Sequence, residues 1–208
     1  MRTLAIETAT EACSVALFED DSLIAHDHQV LGRGHAERLV PMIANLPENG
    51  KSQRILVSLG PGSFTGVRIG IATARALAFA WGADVLGYPT LALVAGMAQS
   101  ERPEPVTVCM NGGHGEWFVA DYDVGAEPLG ATVSLSPEAA HARGAQANIA
   151  GNRAAEFGEL LGLDPSHIQF LLPDAWFALA LPSPLLSASL APTYGRGPDA
   201  VPQAASRT

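Results

Sequence analysis

The chain has 208 residues, with 12 Lys plus Arg against 21 Asp plus Glu, a formal net charge of −9, and 48% apolar residues. That length makes one large domain or two small ones and buries roughly 70% of the unfolded surface. The acidic balance, with no clustered Lys or Arg, argues against a protein that grips nucleic acid by itself, because phosphate neutralisation supplies most non-specific affinity.

No apolar run approaches membrane-spanning length, since Arg75 interrupts the longest candidate. Cys13 and Cys109 lack metal-motif spacing and are too few for a disulfide framework. The opening Met1-Arg2-Thr3-Leu4-Ala5-Ile6-Glu7 is too short in its apolar part for a signal peptide and reads as a buried strand. A cytoplasmic address is the expectation.

Leu4–Glu7, Cys13–Phe18 and Leu23–His28 are predicted strands, the third following the Glu19-Asp20-Asp21 turn. From His35 to Leu46, Leu39, Met42, Ile43 and Leu46 recur at helical spacing. Pro41 lacks a backbone donor and is predicted to kink that helix or delay its first regular turn. A strand at Ile55–Leu59 then leads into Gly60-Pro61-Gly62-Ser63-Phe64-Thr65-Gly66-Val67-Arg68-Ile69-Gly70. Gly60 and Gly62 supply positive φ or close approach, Pro61 fixes one φ, and Ser63 or Thr65 caps the helix that follows. A glycine turn opening onto a helix N-terminus has the shape of an anion cradle, yet this one lacks a phosphate-loop lysine and dinucleotide spacing.

The helix predicted over Thr65–Trp81 places Gly66, Gly70, Ala74 and Ala78 on one stripe, which admits a close neighbour. Each interior glycine costs about 1 kcal/mol relative to alanine, so two of them call for a packing reason. Either a second helix of the same chain fills the groove, or another subunit does. A strand at Val85–Gly87 and a helix at Thr90–Gln99 complete a βββαβαβα order.

Beyond the proline-bearing break at Ser100-Glu101-Arg102-Pro103-Glu104-Pro105, the order restarts. Strands are predicted at Val106–Met110, Glu116–Tyr122, Ala131–Leu135, Asn148–Ala150 and Ile168–Leu171. Helices are predicted at Pro137–Ala142, Arg153–Leu161 and Asp174–Leu181. This is a duplicated α/β chain of two lobes, residues 1–98 and a smaller, degenerate 99–208 that ends in an Ala/Pro/Ser-rich tail.

The pattern resembles the actin, sugar-kinase and heat-shock ATPase superfamily, in which each lobe begins with a hairpin whose turn contacts nucleotide phosphates. Within it, Leu4 through Leu17, His35-Ala36-Glu37-Arg38-Leu39-Val40-Pro41-Met42 and Gly60 through Gly70 are similar to the TsaB (YeaZ) family. Pro192-Thr193-Tyr194-Gly195-Arg196 is a fainter echo. The resemblance implies a non-catalytic partner of the threonylcarbamoyl transferase TsaD. With the ATPase TsaE, the pair supports formation of N6-threonylcarbamoyladenosine in tRNA. It further implies a homodimer when alone; contact with tRNA only through partners is expected from the acidic balance, no membrane association from the short apolar runs, and no cofactor is expected. The partner surface carries over to His35, Leu39, Met42, Ile43, Gly66, Val67, Gly70, Ile71, Ala74 and Ala78, which favours the intersubunit reading of the stripe.

Loss of catalysis is expected from the residues at the two hairpins. Active members carry an aspartate where this chain has Glu7, and the second-lobe turn reads Asn111-Gly112-Gly113 where an acidic residue would orient water or magnesium. The TsaB pattern itself has Asp-Ala-Arg at that turn. The transferase cousin binds metal through two histidines four apart on a helix; here the pair reads His35 and Leu39. His26 and His28 share a strand face without a third ligand, and His114, His141 and His167 stand alone. Ser63 and Thr65 have no local base to activate them. The alternatives are a working small-molecule kinase or ATPase of the same superfamily and a metallopeptidase-like homologue.

Overall fold

The structure is a computed structural model and describes residues 1–193 and 195. Tyr194 and Arg196 of the C-terminal echo, and the tail beyond, lie outside the described residues. In the first half β1 (Arg2–Glu7), β2 (Ala12–Glu19) and β3 (Ser22–Val30) form an antiparallel meander. The helix α1 (His35–Ala44), the strand β4 (Arg54–Ser58), the helix α2 (Phe64–Trp81), the strand β5 (Asp84–Tyr88) and the helix α3 (Thr90–Glu101) follow. The β1, β4 and β5 strands run parallel, and the sheet order is β3-β2-β1-β4-β5.

The second half repeats this plan. Its strands are β6 (Val106–Gly113), β7 (Glu116–Asp123), β8 (Glu127–Pro128), β9 (Val133–Leu135), β10 (Asn148–Ala150) and β11 (Ile168–Gln169). Its helices are α4 (Pro137–Arg143) and α5 (Ala154–Leu161). The β7 strand pairs antiparallel with both β6 and β9, while β6, β10 and β11 are parallel. Reading β9-β7-β6-β10-β11 gives the first sheet's order again. This is the duplicated fold of the actin, sugar-kinase and heat-shock ATPase type.

Alternation along β1 explains the layering. Leu4 and Ile6 point to one face with Val15, Leu17, Ile55 and Val57, where α1 and α2 cover them. Ala5, Ala16 and Leu56 point to the other face, against α3. The α3 helix is also packed on β6 and β10 of the second sheet, so it is apolar all round: Leu91, Leu93, Val94 and Met97 are all buried. Each contributes about 1.5–3 kcal/mol of transfer free energy. A third core, with Trp117, Val119, Ile149 and Phe157, lies between the second sheet and α4 and α5.

Several expectations change. The α1 helix begins at His35 without delay and runs through Pro41 to Ala44, its N-cap Gly34 having φ 94°. The stretch expected as a last helix is 3-10, Ala175–Ala180. It packs on β1, β2 and β3 of the first sheet, because Ser14 Oγ accepts from Ala175 N at 2.8 Å and His26 pairs with Asp174 at 2.7 Å. The chain then bridges Ser187 to Gly87 and donates Thr193 N to Leu59 O at 2.7 Å.

The ten residues carried over as a partner surface lie largely inside this chain's own packing. Of the ten residues, His35, Leu39, Met42, Ile43, Gly66, Val67, Gly70, Ile71 and Ala74 are buried in this chain's own packing and Ala78 is half-buried. The small-residue stripe is filled from within: a Cβ on Gly66 would run into Thr8 O, and one on Gly70 into Thr8 Oγ1. Thr8 Oγ1 donates to Gly66 O at 2.8 Å, fastening α2 to the end of β1.

Candidate functional site

Three loops converge on a cleft of about 1240 Å³ between the two sheets: the first hairpin turn at Ala9–Glu11, the glycine loop before α2, and the second hairpin turn at Asn111–His114. The glycine loop begins with Gly60 at φ 87° and a cis Gly60–Pro61 bond. Gly62 presses so close to Ala9 that a Cβ there would strike Ala9 O. Ser63 N donates to Ala9 O at 2.6 Å, and Ser63 Oγ caps α2 by accepting from Gly66 N at 3.2 Å. Two donors that an anion cradle would offer are therefore spent on the chain's own hairpin and cap. Thr65, the other candidate cap, lies exposed within the first turn of α2.

Glu7 faces inward. It is fully buried, and its Oε1 accepts from Ala9 N at 2.6 Å and from Ser58 Oγ at 2.8 Å. The other oxygen, Oε2, has no hydrogen-bond partner among the described residues. Burial pushes this carboxyl up to about 7, against smaller opposing contributions from Ala9 and Ser58. The Tyr88 hydroxyl lies beside it and donates to Ile6 O at 2.9 Å, and burial next to Glu7 raises the Tyr88 phenol well above its usual value. A carboxyl sealed below the turn cannot reach a ligand in the cleft.

Across the cleft, Asn111 Oδ1 accepts from Gly113 N at 3.3 Å, an internal turn contact. Glu11 shares the cleft wall with Arg33, Arg68 and His114, so a carboxylate and several donors line it together. Among the described residues no three His, Cys, Asp or Glu side chains converge as metal ligands. His35 Nε2 meets Ala12 O at 3.1 Å as a buried strut between α1 and β2, and Leu39 is core. His26 is paired with Asp174, with His28 at 6.5 Å between ring centroids and Trp176 at 5.7 Å. Burial pushes the Cys13 thiol up to about 11 and the Cys109 thiol higher still, so both behave as small apolar residues.

The outer face of α1 and α2 is a second candidate. Ala36, Val40 and Ala44 on α1, and Ala72, Ala76 and Phe79 on α2, are exposed, with Val40 at 55% and Phe79 at 93%. The two helices are in contact, and each carries exposed apolar residues on its outer side. Arg68 stacks its guanidinium 3.3 Å above the Phe64 ring, and Arg75 donates to Leu190 O at 3.2 Å. The apolar circumference of α2 was legible in the sequence. That Phe79 belongs to the uncovered side was not.

Comparison with known proteins decides the family. The model described as "TsaD: tRNA N6-adenosine threonylcarbamoyltransferase" matches residues 28–181. YeaZ from Pseudomonas aeruginosa superposes with a TM-score of 0.75 and 30% identity, covering 93% of this chain and 99% of that one. The tRNA threonylcarbamoyladenosine biosynthesis protein TsaB of Escherichia coli K12 is 41% identical over 128 residues. The chain belongs to the TsaB (YeaZ) family. That alignment covers 59% of this chain and 55% of the Escherichia coli protein, so the TsaB-family chain spans about half the length of the curated relatives it matches. An uncharacterised Mycobacterium tuberculosis protein, Rv3421c, is 30% identical over 97% of this chain and 94% of its own. No helix among the described residues is long and apolar enough to cross a membrane.

Proposed function

We propose that this TsaB-family chain is a non-catalytic subunit in the formation of tRNA N6-threonylcarbamoyladenosine. It pairs with a TsaD-like transferase, a TsaE-like ATPase sustains turnover, and the chain forms a homodimer when alone. The observation that carries this reading is the exposed apolar face of α1 and α2 in a chain whose relatives are named for that biosynthesis. Phe79, 93% exposed, is the anchor of that face, and aromatic anchors of this kind dominate protein interfaces. In this reading residues 1–98 form the lobe that carries the partner face, and residues 99–208 a smaller lobe with the tail. The inward-turned Glu7 and the internally bonded Asn111 support a subunit without chemistry of its own. The acidic balance supports indirect contact with tRNA, and the role is a cytoplasmic one.

Phe79→Asp tests the proposal. It places a charge on the most exposed residue of the face while touching little of this chain's own core, so the variant keeps its melting temperature, sediments as a monomer and no longer co-purifies with a TsaD-like protein. Retained capture by the variant refutes the interface. An unchanged threonylcarbamoyladenosine level in tRNA, measured by mass spectrometry after depletion of the protein, refutes the pathway.

A further inference from the structure

The two halves meet at the back of the cleft through the apolar surface of α3, and at its front through a polar contact between residues distant in sequence. Asn152 stands in the turn between β10 and α5 and is 9% exposed. Its Nδ2 donates to both carboxylate oxygens of Glu11, at 2.9 and 3.1 Å, across 141 positions of sequence. Its Oδ1 accepts from Asn111 N at 2.8 Å, and its own N–H meets Met110 Sδ at 3.4 Å. Both ends of one nearly buried amide are thus aimed at different turns. Glu11 in turn fixes the chain after β3, its carbonyl accepting from Leu31 N and Gly32 N at 2.9 and 3.0 Å.

We propose that Glu11 and Asn152 form a latch that holds the first hairpin turn against the second, so that the width of the cleft is set from within the chain. The chemistry suits that role. A hydrogen bond to a charged acceptor is among the stronger ones in a protein, and removing one partner leaves a nearly buried amide or carboxylate unsatisfied. Glu11 is half-buried on the cleft wall, where partial exclusion of water strengthens the contact without burying a lone charge. The latch is independent of any role in tRNA modification, because it needs neither a partner nor a ligand.

A role exchange separates a latch from two residues that merely pack. Asn152→Asp sets two carboxylates against each other. Adding Glu11→Gln restores a donor–acceptor pair with the same net charge, and the carboxylate at position 152 still accepts from Asn111 N. Amide exchange is followed in the isolated full chain at Leu31, Gly32 and Asn111. Asn152→Asp speeds exchange there about tenfold or more, as loss of a charge-assisted bond requires. The double variant returns to within about twofold of the starting protein. If Asn152→Asp alone does not fold, recovery of folded protein by the added Glu11→Gln reads the same coupling. Exchange unchanged by Asn152→Asp, or no recovery in the double variant, overturns the latch.

Discussion

Replacing Glu7 with glutamine is expected to stabilise the protein, and to do so only where the buried carboxyl would otherwise have to ionise. In the folded chain burial pushes this carboxyl up to about 7 from the ordinary 4.5, outweighing the hydrogen bonds that favour the carboxylate. Below pH 4.5 the group is protonated in both states and contributes nothing. Between 4.5 and 7 the unfolded chain releases the proton while the folded chain keeps it, so the folded state binds more protons and stability falls as pH rises. Above 7 the whole interval counts, and at about 1.4 kcal/mol per pH unit it amounts to about 3 kcal/mol. Glutamine keeps an acceptor for Ala9 N and Ser58 Oγ and carries no charge. At about 2–4 °C per kcal/mol for a chain of this size, Glu7→Gln should melt roughly 6–12 °C higher at pH 8 and within a degree or so at pH 4.5. Urea unfolding at a series of pH values measures the gap directly. A gap that stays constant with pH, or a variant less stable than the parent at pH 8, would mean that the two hydrogen bonds hold Glu7 ionised and that the reasoning from burial is wrong.

Gly70→Leu should destabilise the monomer itself by at least the 1–3 kcal/mol typical of overpacking, about the usual range for a tight site, since its Cβ alone meets Thr8 Oγ1 and Val57. A variant that kept its melting temperature and lost only self-association would restore the intersubunit reading of the stripe. Ser63→Ala removes the cap on α2 and should cost about 1 kcal/mol in chemical unfolding, with an unchanged slope against denaturant. A loss below the error of the measurement would show that Ser63 N to Ala9 O, and not the hydroxyl, secures the start of the helix.

Much of the fold is legible in short-range pattern. Leu4 and Ile6 alternate with Ala5 as a strand buried on both sides must, and Ser63 and Gly82 bracket α2 as a cap and a left-handed stop at φ 65°. Pro41 is carried inside α1, where Leu39, Met42 and Ile43 bury one side of the helix and offset its missing donor. Asn152 carries no local signal, since its partner Glu11 is brought to it only by the closure of the two halves. Phe79 reads in the sequence like any apolar helical residue, and only the direction of the sheet leaves it in solvent.

The order of elements and the duplication follow from the sequence alone, because strand alternation, helical spacing, caps and the glycine turn are properties of neighbours a few residues apart; the family entered only as a resemblance of motifs. What lies against each face was decided by the tertiary structure. A run of Gly66, Gly70, Ala74 and Ala78 states that something approaches closely, and nothing in the run distinguishes a second subunit from the chain's own Thr8, 58 positions before Gly66. The same holds for Glu7, whose inward turn depends on Ser58 and Tyr88 arriving from two other strands. Close approach is a local requirement, but the partner that meets it is chosen by the packing of the whole chain.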